Sequence, residues 1–416
     1  MKVAGIIAEY NPFHDGHAYQ IRKTKELTGA DYVVIVMSGN FVQRGLPAVM
    51  EKHLRTEAAL LHGADAVFEL PVPAATGGAS YFARGAVALL SALGVVDYLS
   101  FGCETDDLTL LTRTAEFLLD EPAAYQADFQ QFMKAGFSYP LARKEALFKH
   151  LGAECASLVD TPNNTLAIEY LKEIKRLNSQ MIPIAVKRLG NYHDATLNVN
   201  NIENDDSKNR YISATAFRNA LETGDSYAVL RNSISSDLYD FYQPHYNKSF
   251  PIFPNDFSLV LGHTLLSLPA ENNCFDCSED LYRRIYRMRK EFTSYEEFCQ
   301  MVHTKQFPLA TVQRSILHCI LGLKNDAAVF PAYLPLLGFR KDSGALLSEI
   351  KESGTLPLLA KPADGKKIFA TDSAEYAQWN TTLRSDYLYR LVQSQRFANI
   401  FPTPEKAGIV LLPNEK

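Results

Sequence analysis

The 416-residue chain contains no apolar run of the roughly 18–20 residues that a membrane-spanning helix needs. Cysteine is scarce, with six residues, and only Cys274 and Cys277 form a C-x-x-C. No second pair and no histidines at ligand spacing accompany them, so reduced thiols are expected rather than a zinc site. There is no internal repeat and no low-complexity tract, which argues against a solenoid or a disordered array. There is also no surplus of positive charge. With a net charge of −5 the chain can hold a nucleic acid only through a local basic face. Met1-Lys2-Val3 runs straight into a strand pattern and leaves no room for a signal peptide. These absences predict a cytoplasmic protein with no membrane association. The remaining composition, 47% hydrophobic and 21% charged, is that of a globular chain long enough for two or three domains.

What is present is an alternation of strand and helix patterns. Val3-Ala-Gly-Ile-Ile-Ala8 has the length and branching of a buried strand and breaks into a turn at Glu9-Tyr-Asn-Pro12. His14-Asp-Gly-His17 follows and leads into a helix. Two imidazoles three residues apart at a helix entrance stand where backbone N–H groups point outward and anions bind; such a pair also occurs by accident beside surface turns. Further strands are expected over 31–37, 64–70 and 95–101, with helices over 52–62 and from about 76 to 93. The fold class is therefore α/β, a Rossmann-like doubly wound parallel sheet whose ligands bind at the carboxyl ends of its strands. The loop Ser38-Gly-Asn-Phe-Val-Gln-Arg-Gly45 lies on that side, as a ligand loop or a plain connection.

Helices over 108–119 and 122–149, the latter broken at Pro140, look like an insertion or cap without chemistry. Asn163 or Asn164 is expected to cap a helix over 166–176 or to contact an adenine or ribose. A strand over 181–186 delivers Lys187 and Arg188, which suit phosphates or solvent, and then Gly190 to Asp194. Ser213 reads as an N-cap with Thr215 and Arg218 in the following turn, a set that suits a departing pyrophosphate and also any capped helix. From about Tyr227 prolines punctuate a linker and the rest is mostly helical. Leu281 to Lys290 interleaves five cations with aromatics, as RNA contacts or a solvated helix face require. The expected division is 1–225, with a helical insertion at about 105–150, and 226–416.

The His-x-Gly-His turn after a first strand, with Ile212-Ser-x-Thr-x-x-Arg218 about 200 residues later, resembles the nucleotidylyltransferase superfamily. Read with Gly5 to His17, Ser38 to Gly45, Phe101-Gly-Cys-Glu104, Pro162-Asn-Asn164, Val186-Lys-Arg-Leu-Gly190, Ile320 to Leu323, Leu337 to Phe339 and Leu346-Leu347, it resembles the bacterial tRNA(Met) cytidine acetate ligase family over nearly the whole chain. That resemblance implies a nucleotidylyltransferase fold and ATP-dependent activation of acetate to acetyl-adenylate. Pyrophosphate is released, and acetyl then passes to N4 of the wobble cytidine of elongator tRNA(Met). The 226–416 region is accordingly expected to bind tRNA. The resemblance places ATP on Ile7, Ala8, Glu9, Tyr10, Asn11, Pro12, Phe13, His14, Gly16, His17 and Gln20, and further on Gly102, Asn163 and Arg188. Leu46 and Cys103 depart from the family pattern, which has an acidic residue and a small hydroxyl there.

The chemistry needs carboxylate and ATP held in line and charge stabilised, with no covalent nucleophile. His14, His17, Lys187 and Arg188 are expected as electrostatic stabilisers, and Ser213, Thr215 and Arg218 as support for pyrophosphate. Gln43 and Arg44 are candidates for the acetate carboxylate. Mg²⁺ is expected with ATP, although no carboxylate cluster marks a metal position. The rival readings are a cofactor-type nucleotidylyltransferase acting on a small phosphate substrate and a non-enzymatic RNA-binding protein with the same fold.

Overall fold

The computed structural model describes residues 1–188, 211–223 and 227–413; the expected Gly190 to Asp194 segment lies outside them. Ten strands occur among the described residues: β1 (Val3–Ala8), β2 (Tyr32–Ser38), β3 (Phe41–Val42), β4 (Leu46–Pro47), β5 (Ala66–Leu70), β6 (Tyr98–Cys103), β7 (Ile182–Lys187), β8 (Leu334–Arg340), β9 (Leu358–Leu359) and β10 (Val410–Leu412). The main sheet runs β10-β8-β5-β2-β1-β6-β7, with β9 on β8. All pairings in it are parallel except β5 with β8. The chain starts at the centre, steps outward through β2 and β5, then returns to the other side of β1 with β6 and β7. The strand order therefore reverses between β1 and β6, and such a switch point opens a crevice at the carboxyl ends.

The central strands are apolar on both faces because helices cover both. Val3, Ile7, Val34, Val36 and Phe68 point into one core, packed on the helices Ala79–Ala92 and Pro162–Arg176. Ala4, Ile6, Val33, Ile35 and Val67 point into the other, which includes Phe217 and Tyr242. This two-sided burial gives the continuous β-branched runs read in the sequence.

Three expectations change. The helix expected from 166 begins at Pro162, with Thr161 as its N-cap, because proline suits the first helical position and lacks the N–H that would go unpaired. Asn163 and Asn164 are therefore inside the first turn and do not cap it. The segment after 226 is mostly helical, as expected, but it is not separate, since β8, β9 and β10 extend the first sheet. A helical core of its own does form around Leu261, Ile285, Phe298, Ile316 and Tyr389, and it reaches Phe41 of the first-domain loop. Pro140 lies in the first turn of the helix Tyr139–Leu151; the break precedes it, at Gly136. Among the described residues no helix is long and apolar enough to cross a membrane.

Candidate active site

At the end of β1 the chain turns through Tyr10, in the left-handed region at φ +48°, and a cis Asn11–Pro12 bond. Asn11 locks the turn: its side-chain oxygen accepts from Val49 N at 2.8 Å. The helix Asp15–Thr28 then opens with His14 as N-cap. His14 Nδ1 accepts from Gly16 N (3.1 Å), and His17 Nδ1 accepts from His14 N (3.2 Å). This is a reciprocal capping box built from two imidazoles, where carboxylates or hydroxyls are usual. The rings stack with centroids 3.8 Å apart, and a Cβ at Gly16 would stand only 2.9 Å from the His14 ring. The glycine between the histidines is thus required by the close approach of His14.

Because each Nδ1 accepts a hydrogen bond, each neutral ring carries its proton on Nε2. Burial first, then the charges of Arg188 and Arg218, push the His14 pKa down to about 3. Burial and the neighbouring His14 hold His17 well below its ordinary value. Both are therefore neutral hydrogen-bond donors at pH 7, not imidazolium cations.

The histidines stand in a cleft of about 210 Å³ at the switch point, which Ile7, Ala8, Glu9, Tyr10, Asn11 and Gln20 also line. Gly102 lies near the carboxyl end of β6, and Arg188, just past β7, lies over it with ordinary contact between its stem and the glycine position. On the facing side the helix Ala214–Glu222 presents Ser213, Thr215 and Arg218. Ser213 caps it, accepting from Ala216 N at 3.0 Å. Arg218 donates to the Asn11 carbonyl (2.6 Å) and to Thr215 Oγ1 (3.2 Å), so the second motif is tied directly to the first across 207 residues. Burial, and then the nearby Arg44 charge, lower the Arg218 guanidinium to about 10. Cations gathered at this density favour a polyanion.

Not every expected residue faces the cleft. Pro12 and Phe13 are buried beneath it, with the Phe13 ring 5.6 Å from His17 and its carbonyl bonded by Tyr242 Oη at 3.1 Å. Lys187 turns away from the main cleft to an adjoining recess with Tyr19 and Tyr211, where its exposed ammonium lies 3.3 Å from Asp106. The two asparagines part company. Asn163 lines the cleft and donates to Glu104 Oε1 at 2.6 Å, whereas Asn164 is buried and accepts from the backbone of Glu104 and Thr105. Cys103 is buried at the end of β6, and burial pushes its thiol up to about 12.

The loop after β2 joins the site through Gln43 and Arg44; Gln43 N donates to Glu9 Oε1 at 2.8 Å. Sequence reasoning missed what holds this loop. Buried Arg55 donates to the carbonyls of Glu9 (2.6 Å), Ser38 (3.1 Å), Gly39 and Met50 (2.9 Å). Asn40 donates to Asp386 (2.8 Å), which with Glu69 encloses the Lys52 ammonium at 2.5–2.9 Å. Tyr295 and Tyr389 bond the carbonyls of Gly45 (3.1 Å) and Ala48 (2.8 Å). Gly45, at φ +75°, sits so close to Arg314 N that a Cβ would be 2.2 Å away. Phe82, Phe101, Leu166 and Tyr170 form an apolar wall that the sequence could only present as core. No group of three or more His, Cys, Asp or Glu side chains among the described residues is placed to hold a metal ion.

The family model described as HIGH Nucleotidyl Transferase matches residues 1–400. The tRNA(Met) cytidine acetate ligase of Thermoanaerobacter sp. (strain X514) is 36% identical over 413 residues, covering 94% of this chain and all of the relative. That of Acetivibrio thermocellus is 36% identical over 88% of this chain and 89% of the relative. Crystal structures of Thermotoga maritima TmcAL, one apo and one bound with alpha-thio ATP, superpose with a TM-score of 0.87 at 29% identity, covering both chains completely.

Proposed function

This chain belongs to the tRNA(Met) cytidine acetate ligase family, and we propose from that premise that it activates acetate with ATP and acetylates the wobble cytidine of elongator tRNA(Met) in the cytoplasm. The observation that carries the reading is the convergence of two neutral Nε2–H donors and the cations Arg44, Arg188 and Arg218 on one cleft at the sheet's switch point. An acetate oxygen attacks the α-phosphorus of ATP in line, the bond to the β-phosphate oxygen breaks, and pyrophosphate leaves with the electron pair. The cytidine N4 then attacks the acetyl carbonyl, AMP departs, and N4 loses a proton to solvent.

Donors aimed at developing charge are worth more than donors that bind ground states. His14 and His17 suit that role because their neutral rings cost no ion burial and their Nδ1 atoms are pinned to backbone N–H groups. Arg188 and Arg218, supported by Ser213 and Thr215, hold the phosphates. Arg44 and Gln43 receive the carboxylate, Asn163 and Gly102 the nucleoside, and Lys187 stands at the rim. The described residues offer no carboxylate set for a metal. Mg²⁺ would arrive with ATP and would supply charge neutralisation of the phosphates. Residues 1–225 perform activation, and 226–416 supply most of the tRNA contact.

The test is mass analysis of elongator tRNA(Met) after incubation with the protein, ATP and acetate. A gain of one acetyl group at the wobble cytidine is expected. Pyrophosphate release without acetylated tRNA would overturn the acceptor, and no acetate-dependent release would overturn the activation step.

A further inference from the structure

The helix Glu279–Met288 is strongly amphipathic: Leu281, Tyr282 and Ile285 face the helical core, while Arg283 and Arg287 are exposed. Beside it the turn 304–307 is closed by two reciprocal bonds, Thr304 N to the Phe307 carbonyl (3.1 Å) and Phe307 N to Thr304 Oγ1 (3.1 Å). Between helix and turn lies an open groove of about 700 Å³, lined by Arg283, Arg287 and Lys305 with Tyr286 and Phe307, and by Asp280 as its acid. The groove is built rather than incidental. Arg284 bonds the carbonyls of Met301 (3.0 Å) and Val302 (2.8 Å), fastening the helix to the segment that leads into the turn. Arg289 lies 3.6 Å over the Tyr286 ring. Of the arginines in this run, two therefore serve the groove's frame, and Arg283 and Arg287 remain at its solvent face, Arg283 with an exposed Glu279 partner.

We infer that this groove docks the sugar-phosphate backbone and an unstacked base of a single-stranded RNA loop, the anticodon loop of the acceptor tRNA. The inference rests on the reading of tRNA as acceptor and adds the surface that holds it. Three exposed cations spaced along a preformed channel match phosphodiesters, and aromatic side chains beside them match base stacking. In a chain of net charge −5 such a patch draws a polyanion locally. The groove also leads to the cleft. Its turn runs into the helix Leu309–Leu321, whose Arg314 backbone abuts Gly45, next to Arg44. RNA held there is attached to the element that borders the acetate-activating cleft.

The test uses the full chain and an elongator tRNA(Met) transcript, titrated by fluorescence anisotropy at several salt concentrations. The variant Arg283→Ala/Arg287→Ala/Lys305→Ala is expected to weaken binding roughly 10-fold or more and to flatten the salt slope by about 2, near 0.7 per lost contact. The control Lys366→Ala/Lys367→Ala removes exposed charge elsewhere and should leave the slope near wild type. Acetate-dependent pyrophosphate release without tRNA should be unchanged in both, which also shows that the variants fold. A wild-type slope in the triple variant, or an equal drop in the control, overturns the groove. Wild-type protein that releases pyrophosphate but binds no tRNA instead overturns the acceptor reading on which the groove rests.

Discussion

The cleft and the basic groove both gather positive charge, and they treat it in opposite ways. In the cleft the charge is partly buried and tethered: Arg218 is fixed to Asn11 and Thr215, and the adjacent Arg55 to four carbonyls. The histidines there have given up their charge altogether. In the groove Arg283, Arg287 and Lys305 stand in solvent. A site that stabilises charge appearing on one atom needs donors that do not reorganise. A site that captures a long polyanion needs mobile cations whose counterions can be released. The same residue types are built rigid in one place and loose in the other.

The widest gap between the two regions should appear in stability. Lys52→Met leaves Glu69 and Asp386 buried without their cation and should cost roughly 3–5 kcal/mol in denaturant unfolding, whereas Glu279→Ala, which breaks the exposed pair with Arg283, should cost less than about 1 kcal/mol. Equal costs would break the comparison. Next in size, His14→Ala and His17→Ala should each slow acetate-dependent pyrophosphate release by roughly 100-fold, while tRNA affinity stays at the wild-type level. Turnover unaffected in both would remove the histidines from the mechanism.

Salt separates the regions a third way. Raising it from about 50 to 200 mM should cut tRNA binding by at least about 10-fold and change pyrophosphate release by less than twofold, because buried charges are screened far less than exposed ones. The smallest effect is in pH. His14 has a folded pKa near 3 against about 6.5 unfolded, so between those values the unfolded chain binds more protons. Its contribution to stability is complete above pH 6.5 and is lost as pH falls toward 3. On going from pH 7.5 to 5.5 the wild type should lose roughly 1 kcal/mol more than His14→Gln. A parallel loss in both proteins would mean that His14 is not held neutral.

Much of this was legible in the sequence where the signal is local. β1, the histidine turn and the Ser213 to Arg218 helix entrance are short contiguous patterns, and each forms where it was read. What was not legible depends on partners far along the chain. Asn40 in a Gly-Asn loop looks like a turn former; its bond to Asp386 spans 346 residues. Leu334–Arg340, with Pro335 and Gly338, has no alternation, because it lies inside the sheet between β5 and β10 and is buried on both faces, Leu334 and Leu336 in one core and Leu337 in the other. Local spacing also could not separate Asn163 from Asn164, since the choice is made by Glu104, 60 residues before Asn164, which accepts from the Asn163 side chain and the Asn164 backbone. It could not separate Arg283 and Arg287 from Arg284 and Arg289 either, because that depends on which carbonyls and rings lie within reach.

The bond between Asn40 and Asp386 has a consequence in time. A ribosome adds roughly 5–20 residues per second, so about 17–70 s pass between the synthesis of the loop residue and that of its anchor 346 positions later. Through that interval the nascent chain already carries both histidines, but the loop bearing Gln43 and Arg44 lacks Asp386 and Tyr389, and Tyr295 joins it only 250 residues after Gly45. An unfinished chain therefore holds the first half of the cleft before the loop beside it has its last anchors.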